Sequence, residues 1–164
     1  MARGTPMGGT TGSTLTITIT EDLTIDGRDY GGKQAMEFAN ILDVSRRIVT
    51  ITEDESTIAT FSSAVASAGH YTASEVRYIR FTNLDGANFI TLTFRNQDND
   101  EAAIKLDAGN SFIWTADNSG GMVDVLNATQ DADAASDTAL GDLTNIQADA
   151  NTGSCNLEVI IASV

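Results

Sequence analysis

The feature that most constrains this chain is a period-two alternation of apolar and polar residues, repeated in short runs and never sustained at helical spacing. It is clearest between Arg77 and Trp114. Val76-Arg77-Tyr78-Ile79-Arg80-Phe81-Thr82 leads into Asn83-Leu84-Asp85-Gly86-Ala87-Asn88, where Asp-Gly is the strongest short hairpin signal a sequence offers. Phe89-Ile90-Thr91-Leu92-Thr93-Phe94 then puts Ile90, Leu92 and Phe94 on one face and Phe89, Thr91 and Thr93 on the other, as a half-buried strand does. A polar connection over 95–101 leads to an apolar run over 102–106. Asp107-Ala108-Gly109-Asn110 then turns the chain into Ser111-Phe112-Ile113-Trp114. The expectation is an antiparallel meander.

The same pattern recurs on both sides. Leu15, Ile17 and Ile19 alternate with Thr14, Thr16, Thr18 and Thr20, and Leu23 and Ile25 keep the parity. Asp26-Gly27 supplies a second hairpin-type turn and Gly31-Gly32 a further flexible point. Residues 34–42 fit a strand through Met36, Phe38 and Asn40, or a short helix through Phe38, Ile41, Leu42 and Ser45; the strand is preferred. Residues 46–52 and 56–62 read as strands around the acidic turn Glu53-Asp54-Glu55, and 63–74 as a long loop. Beyond Trp114, a Gly-containing loop precedes a short apolar run over 122–126. Residues 127–141, mostly Ala and Asp, can bury little and read as an exposed excursion. Leu143, Ile146, Ala148 and Ala150 mark a modest run, and Cys155, Leu157, Val159 and Ile161 a final strand.

Short strands at regular spacing, without a long helical pattern, predict an all-β fold: an antiparallel β-sandwich of jelly-roll-like type. Residues 1–14, rich in Gly and Thr, cannot pack a core alone and read as an extended N-terminal arm. The remainder, 15–164, is expected to be a single domain. Such an arm suits a clamp on a neighbouring subunit, with Arg3, Thr5, Pro6 and Met7 as its candidate contacts.

A chain of 164 residues buries roughly two thirds of its unfolded surface on folding, so a core is attainable without a disulfide or metal. Nine basic against 23 acidic residues give a net charge of −14, which repels phosphate backbones and anionic lipid alike. Neither nucleic acid nor a membrane is an expected partner. No apolar stretch approaches the roughly 20 residues a membrane helix requires. The first residues lack the apolar core of a signal peptide, so secretion by that route is not expected. Cys155 is the sole cysteine, excluding an intrachain disulfide, and its place in an alternating run predicts a small buried hydrophobe.

Candidate chemistry is sparse. His70 is the only histidine, so any nucleophile–base pair would have to use it; no Gly-x-Ser-x-Gly elbow is present, and a plain loop histidine is the simpler reading. Glu53-Asp54-Glu55, Asp98-Asn99-Asp100-Glu101 and Asp131-Ala132-Asp133 with Asp137 invite a calcium reading. None has glycine at the sixth and glutamate at the twelfth position of an EF-hand loop, and solvated turns account for them. No metal, cofactor, small-molecule substrate or catalytic residue is expected. Asn127-Ala128-Thr129 matches the glycosylation triplet, which has little meaning without secretion. Arg46, Arg47, Arg77 and Arg80 are the notable cations, and on so acidic a chain internal ion pairs are the expected use.

Three blocks carry a resemblance: Arg77-Tyr78-Ile79-Arg80-Phe81-Thr82-Asn83-Leu84-Asp85, Phe89 to Phe94, and Lys105-Leu106-Asp107-Ala108-Gly109-Asn110-Ser111-Phe112-Ile113-Trp114. With Leu23-Thr24-Ile25-Asp26-Gly27-Arg28-Asp29-Tyr30 and 46–52 upstream, the chain resembles small virion proteins of tailed bacteriophages, especially marine ones. The resemblance implies a β-sandwich structural protein without an activity and transfers no catalytic residue. It makes a capsid decoration or cement protein on the outer head surface the leading expectation, with the major capsid protein, other virion proteins and further copies of itself as partners. A tail or neck component is the alternative within that class. A carbohydrate-binding sandwich using Trp114 is the alternative outside it.

Overall fold

The structure, a computed structural model, describes residues 11–64, 66–116, 118–127 and 140–164. Among them are thirteen strands, one 3-10 turn at Ala73–Glu75 and no α-helix, so the all-β expectation holds. The chain divides into two compact units, one running to Asp43 together with Val164, the other Val44–Ser163. The boundary between units therefore falls at Asp43, where the sequence suggested one domain from residue 15.

In the first unit, β1 (Ser13–Glu21) pairs antiparallel with β4 (Gly32–Ile41), in register from Leu15 opposite Phe38 to Glu21 opposite Gly32. Residues 34–42 are thus a strand, as preferred. Between them, β2 (Thr24–Ile25) and β3 (Arg28–Asp29) form a small hairpin. Its two turn residues, Asp26 and Gly27, have φ of 49° and 76°, the pair of positive values a type I′ turn demands. A bulge near Ser13 accommodates Asn40 at φ 61°, and Gly12 lies against that backbone. A Cβ at Gly12 would sit 2.5 Å from the Asn40 Cα, so only glycine fits. Phe38 and Ile41 are buried, whereas Ile19, Leu23, Ile25 and Tyr30 are exposed. Strand structure begins at Ser13, and residues 1–10 of the expected arm lie outside the described residues. Arg3, Thr5, Pro6 and Met7 lie outside the described residues.

The second unit is a sandwich of two sheets. One has the strand order β10-β9-β12-β6-β7 and the other β11-β8-β13-β5, with β5 (Asp43–Ile51), β6 (Ser56–Ser62), β7 (His70–Thr72), β8 (Val76–Asn83), β9 (Ile90–Asn96), β10 (Glu101–Leu106), β11 (Ser111–Thr115), β12 (Leu143–Ala150) and β13 (Cys155–Ser163). Without the short β7, the eight strands numbered in chain order stand as 5-4-7-2 and 6-3-8-1, which is the order of a double Greek-key jelly roll.

That order corrects the meander. Within the stretch expected to be a meander, only β9 and β10 pair as consecutive strands, while β8 pairs with β11 and β13, and β9 with β10 and β12. The Asp85-Gly86 connection therefore carries the chain from one sheet to the other. The segment 63–74 is also more structured than expected: β7 runs parallel to β6, with Thr60 opposite His70 and Ser62 opposite Thr72. The run over 122–126 forms no strand; Leu126 makes one isolated bridge to Gly141.

Inward positions supply a continuous core. Val76, Ile79 and Phe81 of β8, Ile90, Leu92 and Phe94 of β9, Ile146 and Ala148 of β12, and Cys155, Leu157, Val159 and Ile161 of β13 are all essentially closed to solvent. Each large side chain so buried stabilises the fold by about 1.5–3 kcal/mol. Phe94, Phe112 and Trp114 pack edge-on with centroids 5.4 to 6.3 Å apart, which fixes Trp114 against the core.

Candidate functional site

Polar side chains gather at three places in the sandwich. The first is His70, which lies on β7 and not in a loop. Its Nε2 is 2.7 Å from Ser62 Oγ, the geometry a nucleophile–base pair would need. Ser62 Oγ also accepts the Ala64 amide at 3.0 Å, and Thr72 Oγ1 donates to Ala64 O at 3.1 Å. Among the described residues no carboxylate hydrogen-bonds the imidazole. The contacts fasten the return of the chain from β6 into the parallel β7.

Beside Ser62 is a cavity of about 400 Å³ lined by Phe61, Ser63, Ala73, Ser74, Val123 and Leu143 among others. Its one carboxylate, Asp142, accepts the Asp124 amide at 3.0 Å. The described lining residues include no Lys, Arg or His.

The second cluster joins strands far apart in sequence. Arg46 on β5 donates through Nε and Nη2 to Glu158 Oε1 at 2.9 and 2.6 Å, and Arg80 Nη2 on β8 donates to Oε2 at 2.7 Å. The Glu158 side chain is only 11% exposed, against 69% for Arg46. The Arg46 hydrogen bond holds the Glu158 carboxyl below the usual carboxylate range, and burial opposes it. Tyr78 is pushed up by burial, with Arg80 acting against the shift. The cluster ties β5, β13 and β8 across their sheet. Arg47 donates to Ile58 O, and Tyr71 OH donates to Ser45 Oγ at 2.9 Å, linking β5 to β6 and β7 in the opposite sheet. Arg77 donates to Ser74 O and Val76 O. All four arginines are therefore used inside the fold, two in ion pairs and two on carbonyls.

The third place is a pair of buried asparagines at strand ends, which sequence reasoning missed. Asn83 Nδ2 donates to Asn88 O and Leu106 O while its Oδ1 accepts the Asp85 amide. Asn96 Oδ1 accepts the amides of Asp98 and Asp100. The signal was present, because both stand in Asn-x-Asp directly after a strand, the pattern of an Asx-turn. Asp85 repeats the device, accepting the Ala87 and Asn88 amides, and those bonds hold its carboxyl below the usual range.

Glu53 Oε1 accepts the Gly153 amide at 2.6 Å, and Glu101 pairs with Arg95. Among the described residues no group of three or more His, Cys, Asp or Glu side chains could hold a metal ion. The cluster Asp131, Asp133 and Asp137 lies outside them. Cys155 is buried and free, and burial pushes its thiol up.

No protein-family model and no curated protein matches the sequence. A solved structure described as "Bacillus endospore appendages form a novel family of disulfide-linked pili" aligns over 97% of this chain and 95% of that chain, with a TM-score of 0.44 and 7% identity.

Proposed function

We propose that this chain is a non-enzymatic structural protein of a tailed-bacteriophage particle, a decoration or cement protein on the outside of the head. The observation that carries the reading is the distribution of exposed apolar surface. Of the ten large apolar side chains standing exposed among the described residues, seven lie between Ile19 and Ile48: Ile19, Leu23, Ile25, Tyr30, Leu42, Val44 and Ile48. Four of them, Ile19, Leu23, Ile25 and Tyr30, belong to the ribbon of the first unit and support its use as a surface for other proteins. The sandwich of the second unit is filled by its own side chains, and its polar clusters tie strands together.

Jelly rolls recur in viral shells, an analogy of fold that supports the reading without specifying it. A charge of −14 suits an outward position better than one against packaged nucleic acid. Trp114, the aromatic a carbohydrate-binding reading relies on, is held between Phe94 and Phe112.

Quantifying the chain in purified particles tests the proposal. Hundreds of copies, with antibody labelling on intact heads, are expected; a dozen or fewer would move the protein to the tail or neck, and none would end the reading.

A further inference from the structure

Edge strands of a sheet offer unpaired backbone groups to any passing strand, and proteins guard them with charge or brevity. Most edges of this chain are guarded in that way. β10 carries Glu101 and Lys105, β4 carries Lys33 and Glu37, and β5 carries Asp43, Arg46 and Arg47. β7 has three residues and β11 five. The exception is β1. Its nine residues, Ser-Thr-Leu-Thr-Ile-Thr-Ile-Thr-Glu, hold a single charge at the last position, and among the described residues only β4 pairs with it, along one edge. A two-stranded ribbon is marginal in water by itself and gains from further strands.

We propose that the free edge of β1 pairs antiparallel with β1 of a second copy, about a two-fold axis at Ile17. This rests on the reading that the protein works by assembling, and names one surface it uses.

The strand is complementary to itself in that register. Ile17 faces Ile17 of the other copy, Leu15 faces Ile19, Thr16 faces Thr18 and Thr14 faces Thr20, so apolar meets apolar and hydroxyl meets hydroxyl. Glu21 falls opposite Ser13, which leaves the two glutamates at opposite ends of the new ladder. Centring the axis on Thr18 would set Leu15 against Glu21, so the ends of the strand select Ile17. Charge selects the partner. Two chains at −14 repel wherever their acidic surfaces meet, and β1 offers eight consecutive uncharged positions at which two copies can approach. The ribbon becomes a four-stranded sheet, β4-β1-β1-β4, and Ile19, 41% exposed in one copy, gains Leu15 of the other.

Sedimentation of the purified protein should show a dimer. Ile17→Lys or Ile17→Glu should each weaken dimerisation on the order of a hundredfold by opposing like charges at the axis. Mixing the two variants should restore a dimer containing one of each. Circular dichroism checks that both stay folded. Ile17→Cys should cross-link on oxidation and Ile48→Cys should not; Cys155 is buried and adds no background. A monomeric wild type, a dimer that persists in Ile17→Lys, or an Ile17→Cys chain that links only to a different protein each overturns the proposal. Monomers abundant in particles would sink this inference alone. Dimers absent from particles would leave it standing and sink the virion reading.

Discussion

The sandwich and the ribbon before it are written in the same alternating alphabet, yet they settle their apolar residues in opposite ways. In the sandwich, Ile79, Phe81, Leu92, Leu157 and Val159 are closed off by a facing sheet. Among the described residues of the ribbon only Phe38 and Ile41 are buried, and Ile19, Leu23, Ile25 and Tyr30 stay open. Alternation thus tells which side of a strand is apolar, not whether anything within the chain covers it. Where a second sheet exists, the apolar side becomes core; in the ribbon Ile19, Leu23, Ile25 and Tyr30 stay exposed.

Substitutions sharpen the contrast, from large effects to small. Phe81→Ala removes a fully buried ring at the centre of the sandwich and should cost about 3–5 kcal/mol in urea unfolding. A loss under about 1 kcal/mol would mean the facing sheets pack loosely. Asn83→Ala deletes the side chain that ties the crossing at Asp85 to Leu106 and removes the donor to one buried and one half-buried carbonyl, for about 1–3 kcal/mol by the same measurement.

Acid should act through Glu158. Its folded-state pKa lies below its unfolded one, so its contribution is complete above the ordinary carboxylate range and disappears as pH falls through the depressed value. Thermal melts between roughly pH 5 and pH 2 should show Glu158→Gln less acid-sensitive than the wild type. An unchanged slope would remove the Arg46–Glu158–Arg80 cluster from the account. Ile25→Thr, on the open ribbon, should move the stability of the single chain by less than about 0.5 kcal/mol. A cost approaching that of Phe81→Ala would show the ribbon to be core after all.

These contrasts mark how far the sequence could be read. The strands were legible, since period-two runs such as 90–94 and 155–161 leave few alternatives. The Asp26-Gly27 hairpin was also legible, because both of its residues adopt the positive φ that Asp-Gly favours. Pairing was not. Asp85-Gly86 has the same local chemistry whether the chain folds back beside itself or crosses to a facing sheet. The choice was made by Asn83, whose partners lie as far away as Leu106, and by β13, which takes the place beside β8 that a hairpin would have given to β9. The polar clusters were equally hidden. Arg46 and Glu158 are 112 positions apart, and His70 meets Ser62 only because β7 runs parallel to β6.

The strand order has a consequence for how the protein is made. β12 lies between β9 and β6, and β13 between β8 and β5, so both sheets lack an interior member until the segment from Leu143 to Ser163 has left the ribosome. Nascent chains that stop short of it carry four uncovered strand flanks and cannot close either layer. Both layers therefore close through pairings between strands far apart in sequence, the kind of contact that slows folding.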